Sequence, residues 1–188
     1  MASALGLLER EGATAFSLGA VAKDLGVFPR AVAWHVGTRE DLVVAVVDAV
    51  FEDVDLGHRE STWDAELVRV AASVRSTFSR HAAAVPLIQN RLTSPATLAL
   101  VEHVTDVLAD GGFRGGDLLH AVNAYLAYVI GFHLTESGGT ASADEVWAKS
   151  AQAHLEDVGG QVDVRETLSA SFDAGLQMLL TGMRTLAP

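Results

Sequence analysis

The chain of 188 residues contains no cysteine, only four prolines and few aromatic side chains, which make up 6% of its residues. The absence of cysteine excludes disulfide bonds and thiolate metal sites. A low proline content together with 49% apolar residues is typical of a helical globular protein and not of a disordered chain. We therefore expect one domain, or two small ones, with ample length to bury a core.

The chain also lacks the excess of basic residues that DNA-binding proteins usually carry, because its formal net charge is −11. Residues 1–40 differ from the remainder, since their four basic and four acidic side chains cancel. These side chains are Arg10, Lys23, Arg30 and Arg39, against Glu9, Glu11, Asp24 and Glu40. Any nucleic-acid contact made by this neutral region would depend more on individual base contacts than on long-range attraction.

Long apolar runs are equally scarce. The longest stretch dominated by apolar residues, Leu118–Leu134, contains His120, Asn123 and His133, which predicts a buried helix and not a membrane span. No signal-peptide pattern precedes the first predicted helix at Ala4–Glu11. We expect a cytoplasmic protein that does not associate with a membrane.

Motifs for catalysis or metal binding are missing as well. The seven histidines form no HExxH motif and no pair four residues apart, and no carboxylate cluster has ligand spacing. The glycine pairs Gly111-Gly112 and Gly138-Gly139 are typical of turns and not of phosphate loops, and no serine nucleophile motif is present. We therefore predict that the protein is not an enzyme and needs no metal and no cofactor.

What the chain does contain is a helix-turn-helix pattern between Ser17 and His35. Ser17 is a good N-cap for a first helix. Four apolar residues then recur with helical spacing along one face: Leu18, Val21, Ala22 and Leu25. Gly26 ends this helix, Val27 is expected to pack toward the core, and Pro29 opens a second helix. In such a motif the second helix enters the major groove of DNA.

The stretch from Ala4 to Phe51 resembles the DNA-binding domain of the TetR family of transcriptional regulators. The residues that carry the resemblance are Ala4-Leu-Gly-Leu-Leu, Gly12, Ser17-Leu, Val21-Ala22, Leu25-Gly26-Val27, Pro29, Ala31-Val32, Trp34-His35-Val36 and Thr38-Arg39-Glu40-Asp41-Leu42. The remainder of the chain is similar to the family in its helical pattern and length. The resemblance implies a homodimeric, ligand-responsive repressor that binds a palindromic double-stranded DNA operator and is released by a small-molecule effector.

Seven residues of this stretch are candidates for DNA binding: Ser17, Arg30, Ala31, Trp34, His35, Thr38 and Arg39. On the predicted recognition helix, Pro29–His35, Arg30 can read a guanine edge, grip a phosphate or be a solvated surface charge. Trp34 can reach a phosphate oxygen, as can His35, or it can pack between this helix and the next. Arg39 stands where the family has Lys or Arg and is the best candidate for a phosphate contact.

Two positions depart from the pattern of the family. Phe28 stands where relatives usually have a Ser or Thr cap, and losing such a cap costs roughly 0.5–2 kcal/mol. Ala33 stands where relatives commonly have an aromatic residue that touches the DNA backbone. Together with the neutral charge of residues 1–40, these departures leave an alternative open. The protein could be a TetR-like small-molecule or protein-binding module with weakened or lost DNA binding.

The chain as a whole is predicted to be all-α, with about nine to ten helices. Residues 1–51 would form a three-helix helix-turn-helix DNA-binding domain, and a linking helix would run from residue 39 to 55. Residues 52–188 would form a helical effector-binding and dimerisation domain. Its helices are predicted over residues 62–81, 86–91, 96–109 and 117–135, around Trp147, and over 164–183.

Candidate effector-binding residues are aromatic side chains and polar side chains on otherwise apolar helices: Phe78, His81, Gln89, His103, Asn123, Tyr125 and Trp147. Packing in the core or at a subunit interface explains each of them equally well. Few basic groups accompany them, which favours a hydrophobic effector that is neutral or cationic.

The segment over residues 117–135 is apolar almost all round, so it needs cover on both sides. The family resemblance implies that this helix and the last one form the dimer interface. The candidate interface residues are Leu118, Val122, Tyr128, Phe172, Leu176 and Leu179.

Overall fold

The computed structural model describes residues 1–88, 94–138 and 164–186. Within these ranges the chain forms nine helices and no strand, which confirms the predicted all-α fold. The helices are α1 (Ala2–Ala15), α2 (Leu18–Asp24), α3 (Pro29–Val36), α4 (Arg39–Glu52), α5 (Trp63–Arg80), α6 (Val85–Ile88), α7 (Pro95–Asp110), α8 (Gly115–Gly138) and α9 (Val164–Arg184). The helix predicted around Trp147 lies outside the described residues.

The first three helices follow the local signals of the sequence closely. α2 begins at its predicted cap, because the Ser17 hydroxyl accepts a hydrogen bond from the Ala20 N–H at 3.2 Å. α3 begins with Pro29, as predicted, and no side chain caps it. The predicted stop of α1 at Gly12 is only partly right. Gly12 leaves the helical conformation (φ 76°, ψ 171°), but a further helical turn follows as far as Ala15.

Two expectations about the turn between α2 and α3 are wrong. Leu25 was predicted to continue the buried stripe of α2 and Val27 to pack toward the core, but their exposed fractions are 52% and 44%. α2 ends one residue before Leu25, so the helical periodicity no longer directs these side chains inward. The linking helix is also shorter than predicted: α4 ends at Glu52, and Asp53, the next residue, is exposed.

α4 joins the first three helices to the later ones. It packs against α5, α6 and α7, and its inner face is buried over Leu42, Val43, Val46, Val47, Val50 and Phe51. Asp48 on α4 accepts a hydrogen bond from the N–H of Ala96, in the first turn of α7, at 2.8 Å. A carboxylate in that position also interacts favourably with the helix dipole. α4 is therefore packed firmly into a core that it shares with the later helices.

α8 and α9 pack against each other and against the core. Their buried residues are Ala121, Val122, Tyr125, Val129, Ile130 and His133 on α8, and Phe172, Leu176, Leu180 and Met183 on α9. The Tyr128 hydroxyl donates a hydrogen bond to the Phe172 carbonyl at 2.8 Å. This close approach requires a glycine at Gly175, because a Cβ atom there would overlap the Tyr128 ring. No helix in the described part of the chain is long and apolar enough to cross a membrane.

Candidate nucleic-acid interface and effector region

The outer face of α3 is available to a partner. Val32 is buried on its inner face, whereas Arg30, Ala31, Trp34 and His35 are exposed. The exposed fraction of Trp34 is 86%, which excludes the interpretation that this side chain packs between α3 and α4. Whether these four residues contact DNA stays a prediction, and their exposure is compatible with it.

Thr38 and Arg39 lie where α4 begins, next to the end of α3. The Thr38 hydroxyl accepts a hydrogen bond from the Asp41 N–H at 3.2 Å. The Asp41 carboxylate in turn accepts bonds from the Thr38 N–H and hydroxyl, both at 2.8 Å, and these bonds, the backbone one foremost, lower the pKa of Asp41. Arg39 is exposed, and its Nε donates to the Phe16 carbonyl at 3.4 Å. The capping box thus holds Arg39 beside the start of α2.

The basic residues of residues 1–40 differ in whether they form ion pairs within the protein. Arg10 forms an ion pair with Asp24 at the end of α2, and the same carboxylate accepts a bond from the Ser3 hydroxyl at 2.6 Å. Lys23 and Arg30 are exposed, and neither belongs to an ion pair within the described residues. With Arg39, they are the cations that a phosphate backbone could meet here.

A small ionic cluster lies where α1, α4 and α5 meet. The His81 Nε2 is 2.9 Å from an Asp53 carboxylate oxygen, and its Nδ1 is 3.4 Å from a Glu9 carboxylate oxygen. Arg80 reaches the same Asp53 oxygen at 3.3 Å. Glu9 belongs to α1, Asp53 follows α4, and His81 follows α5. We call this set, Glu9, Asp53, Arg80 and His81, the junction cluster.

A buried carboxylate organises the contacts between α5, α7 and the segment that follows α4. Glu66 is 1% exposed; one of its oxygens accepts bonds from Arg69, at 2.7 Å, and from the His103 ring, at 2.6 Å. The other accepts from Arg69, at 3.0 Å, and from the Glu60 N–H, at 2.8 Å. Arg69 also donates to the Asp55 carbonyl at 2.9 Å. Both oxygens of the buried Glu66 carboxylate therefore accept two hydrogen bonds each.

The surroundings of Glu66 act on its ionisation in two opposite ways. Burial raises its pKa, but the hydrogen bonds from Arg69, the Glu60 N–H and His103 outweigh burial and hold the pKa at about 2. Sequence reasoning missed this group, although a signal was present. Glu66 shares one helical face with Val70 and Val74, so an acidic residue occupies a core position of α5.

Two predicted effector residues lie deep in the interior. Phe78 and Tyr125 are 2% and 0% exposed. The Tyr125 hydroxyl donates to the Leu67 carbonyl at 2.7 Å, and burial raises the pKa of Tyr125. The Phe78 ring meets the rings of Phe51 and His133 edge-on, with centroid distances of 5.5 and 5.7 Å.

The seven candidate effector residues do not form one group. Two are in the interior, Phe78 and Tyr125, and His103 is partly exposed, at 17%, where its ring contacts Glu66. His81 belongs to the junction cluster, and Asn123 is exposed on α8. Two lie outside the described residues: Gln89 and Trp147. The effector-binding roles of all seven residues stay predictions. Among the residues that the structure describes, no three side chains of the metal-binding types are placed to hold an ion.

Sequence reasoning also missed an aromatic cluster between α8 and α9. Tyr128 stacks on Phe172 with a centroid distance of 5.7 Å, and Phe132 meets Phe172 edge-on at 5.3 Å. His133, 4% exposed, is 5.1 Å from the same ring, and the Arg75 guanidinium is 4.9 Å from it. Tyr128, Phe132 and His133 are close together on α8, but Phe172 lies far along the chain on α9, so no local pattern could have brought its ring to theirs.

The six candidate dimer residues differ in burial. Three are buried within the single chain: Val122, Phe172 and Leu176. Three are half-buried: Leu118, Tyr128 and Leu179. Where burial on these helices is described, the large apolar side chains that are exposed are Leu119 and Met178, at 63% and 75%. A second copy of the chain would therefore bury more surface of Leu119 and Met178 than of Val122, Phe172 and Leu176. The last three are already buried in the core of the single chain.

Comparison with known proteins finds relatives along the whole chain. A family model, the tetracyclin repressor-like C-terminal domain, matches residues 56–187. An HTH-type transcriptional regulator of Saccharopolyspora erythraea is 31% identical over 197 residues, covering 100% of this chain and 84% of that protein. ActR of Streptomyces coelicolor, solved with actinorhodin, has a TM-score of 0.79 at 22% identity, covering 99% of this chain and 93% of that one. BioQ, solved with its natural double-stranded DNA operator, has a TM-score of 0.73 at 20% identity, covering 97% and 93%.

The fold and the exposed second helix define an all-α protein with an N-terminal helix-turn-helix. The chain belongs to the TetR family of transcriptional regulators, as the matched C-terminal domain and the 31% identical relative show. The family predicted from residues 4–51 is thereby confirmed: the family model matches a different part of the chain, residues 56–187, and the relative matches all of it.

Proposed function

We propose that the protein is a ligand-responsive repressor that binds a near-palindromic operator as a homodimer. Residues 1–51 would form its DNA-binding domain, residues 52–188 would bind the effector and form the dimer, and the protein would act in the cytoplasm. The observation that carries this proposal is the exposed face of α3, whose neighbouring helices in the chain, α2 and α4, both begin at side-chain caps.

The DNA contact would be made by α3 in the major groove. Arg30 lies in its first turn, from which side chains of a recognition helix reach base edges. Arg39 and Lys23 flank it and are suited to phosphates. Because few cations are available on this face, we expect weak non-specific binding and specificity that depends on base contacts.

The effector would be a small hydrophobic molecule, neutral or cationic. The interior of the later helices presents aromatic rings, and α5 brings two partly buried guanidinium groups to it. Arg69 is hydrogen-bonded to Glu66, and Arg75 lies over the Phe172 ring and pairs with Asp173 at 3.5 Å. Within the described residues of α5, an acidic effector would therefore have to compete with a carboxylate that already pairs with the arginine. ActR, a protein of the same fold, is solved in complex with actinorhodin, which supports an effector site in this chain.

Two structural connections could carry the signal from effector to DNA. α4 begins beside α3 and is packed against α5 and α7, and the junction cluster ties α1 to the ends of α4 and α5. An effector that prefers a different tilt of α4 would change the spacing of the two α3 helices in the dimer. By linkage, DNA must then weaken effector binding by the same factor that effector weakens DNA binding.

The first experiment is selection of bound sequences from a random duplex pool at low salt, followed by binding at physiological salt. We expect a near-palindrome whose half-sites lie about 34–36 Å apart. If a folded, dimeric protein selected no motif at either salt, the repressor proposal would be wrong.

Two arginine variants then separate base contacts from phosphate contacts. Arg39→Ala should weaken binding to all sequences and flatten the salt dependence, whereas Arg30→Ala should relax specificity at one base position by roughly 1–3 kcal/mol. Arg59→Ala is the matched control, because it removes the same charge from a residue that pairs with Asp110, away from α3. Equal losses on all sequences for both Arg30 and Arg39 would remove Arg30 from the reading role.

A thermal-shift screen tests the effector class. Hydrophobic neutral or cationic compounds should raise the melting temperature, since a ligand that binds only the folded state stabilises it. A screen in which only organic acids do so would contradict the proposed chemistry.

One observation favours a second candidate function, a small-molecule or protein-binding module with weakened DNA binding. The first turn of α3 has no side-chain cap, and the residue at the cap position, Phe28, is an exposed apolar residue. The selection experiment decides between the two functions, because only the repressor requires a recovered motif.

A further inference from the structure

Phe28 is the most exposed apolar side chain of the turn between α2 and α3. Its exposed fraction is 84%, against 44% for its neighbour Val27. A phenylalanine ring left in water forgoes the stabilisation that burial would give it. Leu25, Val27 and Trp34 are exposed in the same turn and helix, so the ring belongs to a group of exposed apolar side chains, which is typical of a contact surface. The aromatic side chain has no polar atom that could contact a phosphate.

The position of Phe28 is well defined, although its ring is exposed. It is the residue before α3, with an extended backbone (φ −72°, ψ 143°), and Pro29 follows it. A residue before proline is restricted to such conformations. Its carbonyl accepts a hydrogen bond from the Ala31 N–H at 2.9 Å. The ring therefore projects from a fixed point at the leading end of the helix that would enter the groove.

The major groove presents one apolar group to such a ring. Of the four bases, only thymine carries a methyl group there, and apolar side chains such as Phe and Ala recognise it by contact. Ala31, the third residue of α3, is small and exposed, so it leaves space beside the ring. The charges of residues 1–40 cancel, so uncharged contacts would carry a large part of the discrimination between sequences.

We propose that Phe28 recognises the C5-methyl group of one thymine in each operator half-site and is a specificity-determining residue. This inference rests on the proposed function, because it requires DNA binding. It also gives the missing cap a reason: the position that relatives use to cap the helix is used here to read a base.

The test replaces single thymines of the selected operator by deoxyuridine, which removes only the methyl group. Binding is measured by fluorescence anisotropy for the unaltered protein, Phe28→Ala and Trp34→Ala. We expect one thymine per half-site at which the replacement weakens binding of the unaltered protein about fourfold, the value for one buried methyl group. Phe28→Ala should bind the thymine and deoxyuridine operators equally.

Trp34→Ala is the matched control, because Trp34 is exposed to 86% but lies near the other end of α3. This variant should weaken binding to both operators alike and keep the fourfold difference. Melting temperatures should be close to that of the unaltered protein for Phe28→Ala, since the ring packs against little of the chain.

Three results would overturn the inference. Operator binding without sensitivity to deoxyuridine at any thymine would show that no methyl group is read, and would leave the repressor function standing. Sensitivity that persists in Phe28→Ala, or that disappears in Trp34→Ala, would assign the methyl contact to another residue. Selection of no operator at all would instead remove the proposed function, and the inference with it.

Discussion

The region around α3 and the interior around Glu66 differ in the burial of their unusual side chains and in the number of partners that these side chains have within the chain. In the interior, the Glu66 carboxylate is 1% exposed, and burying it without partners would destabilise the fold. It accepts hydrogen bonds from three segments of the chain. Around α3, the apolar rings of Phe28 and Trp34 and the guanidinium of Arg30 are left in solvent. The interior group has all its partners within the chain, so it holds the fold. The surface groups have none there, so they are where an external partner is expected.

The largest effect in this comparison should come from Glu66→Ala. Removing the carboxylate takes two hydrogen bonds from Arg69, whose remaining ion pair is with Asp55 at 3.5 Å, and one from the His103 ring. The lost bonds should cost roughly 1–3 kcal/mol of unfolding free energy. Chemical denaturation followed by circular dichroism measures the loss. Glu102→Ala is the control, because Glu102 is exposed on α7 and should change the stability by less than about 0.5 kcal/mol. Similar small losses for both variants would show that the interior does not depend on this carboxylate.

Lowering the pH should destabilise the fold through the same Glu66 carboxylate. The pKa of Glu66 is about 2 in the folded chain, against an ordinary value of 4.5. The ionised carboxylate therefore stabilises the fold fully above pH 4.5, and this contribution is lost as the pH falls toward 2. The loss should reach about 3 kcal/mol. Denaturation of the unaltered protein and of Glu66→Gln at several pH values checks it: the variant should show a flatter dependence, and parallel curves would refute the assignment.

The two regions also differ in how much of them could be predicted from the sequence. Caps and helix starts were predictable because they depend on near neighbours: Ser17 and Pro29 begin their helices as expected. The exposure of α3 residues was predictable for the same reason, since it follows from a short motif. The failures at Leu25 and Val27 show the limit of periodicity, which ceases to apply where the helix ends.

The interior could not be predicted in this way. His103 and Glu66 are 37 residues apart, and their contact depends on how α5 and α7 pack. A sequence pattern can show that an acidic residue occupies a core face, but it cannot show which partner neutralises it. His103 was predicted to bind an effector without any sign of this contact; the structure shows its ring 2.6 Å from the Glu66 carboxylate, and its effector role stays a prediction.

A smaller effect is expected where the surface region meets α4. Thr38→Ala removes the hydroxyl of the capping box and should cost about 1 kcal/mol of unfolding free energy. Because Arg39 follows directly, the variant should also weaken DNA binding without altering the selected motif. Chemical denaturation and anisotropy measure the two effects. Thr14→Ala, an exposed threonine of α1, is the control and should leave both unchanged. A changed motif in Thr38→Ala would mean that this residue reads bases itself.

The smallest effect on stability should come from the junction cluster, which lies between the two regions. The carboxylates that meet His81 are 49% and 45% exposed on Glu9 and Asp53, and ion pairs of this kind contribute less than about 1 kcal/mol. His81→Ala should therefore leave the melting temperature nearly unchanged and still increase hydrogen exchange of the α1 amides relative to those of α8. His58→Ala is the control, since His58 is 70% exposed and lies 3.7 Å from Glu60. Exchange that rises equally in α1 and α8 would mean that the cluster supports the whole fold. Faster exchange confined to α1 would mean that the weak contacts of the junction cluster hold α1 to the later helices. An effector whose binding free energy differs by only a few kcal/mol between two positions of α1 could then shift the helix from one to the other.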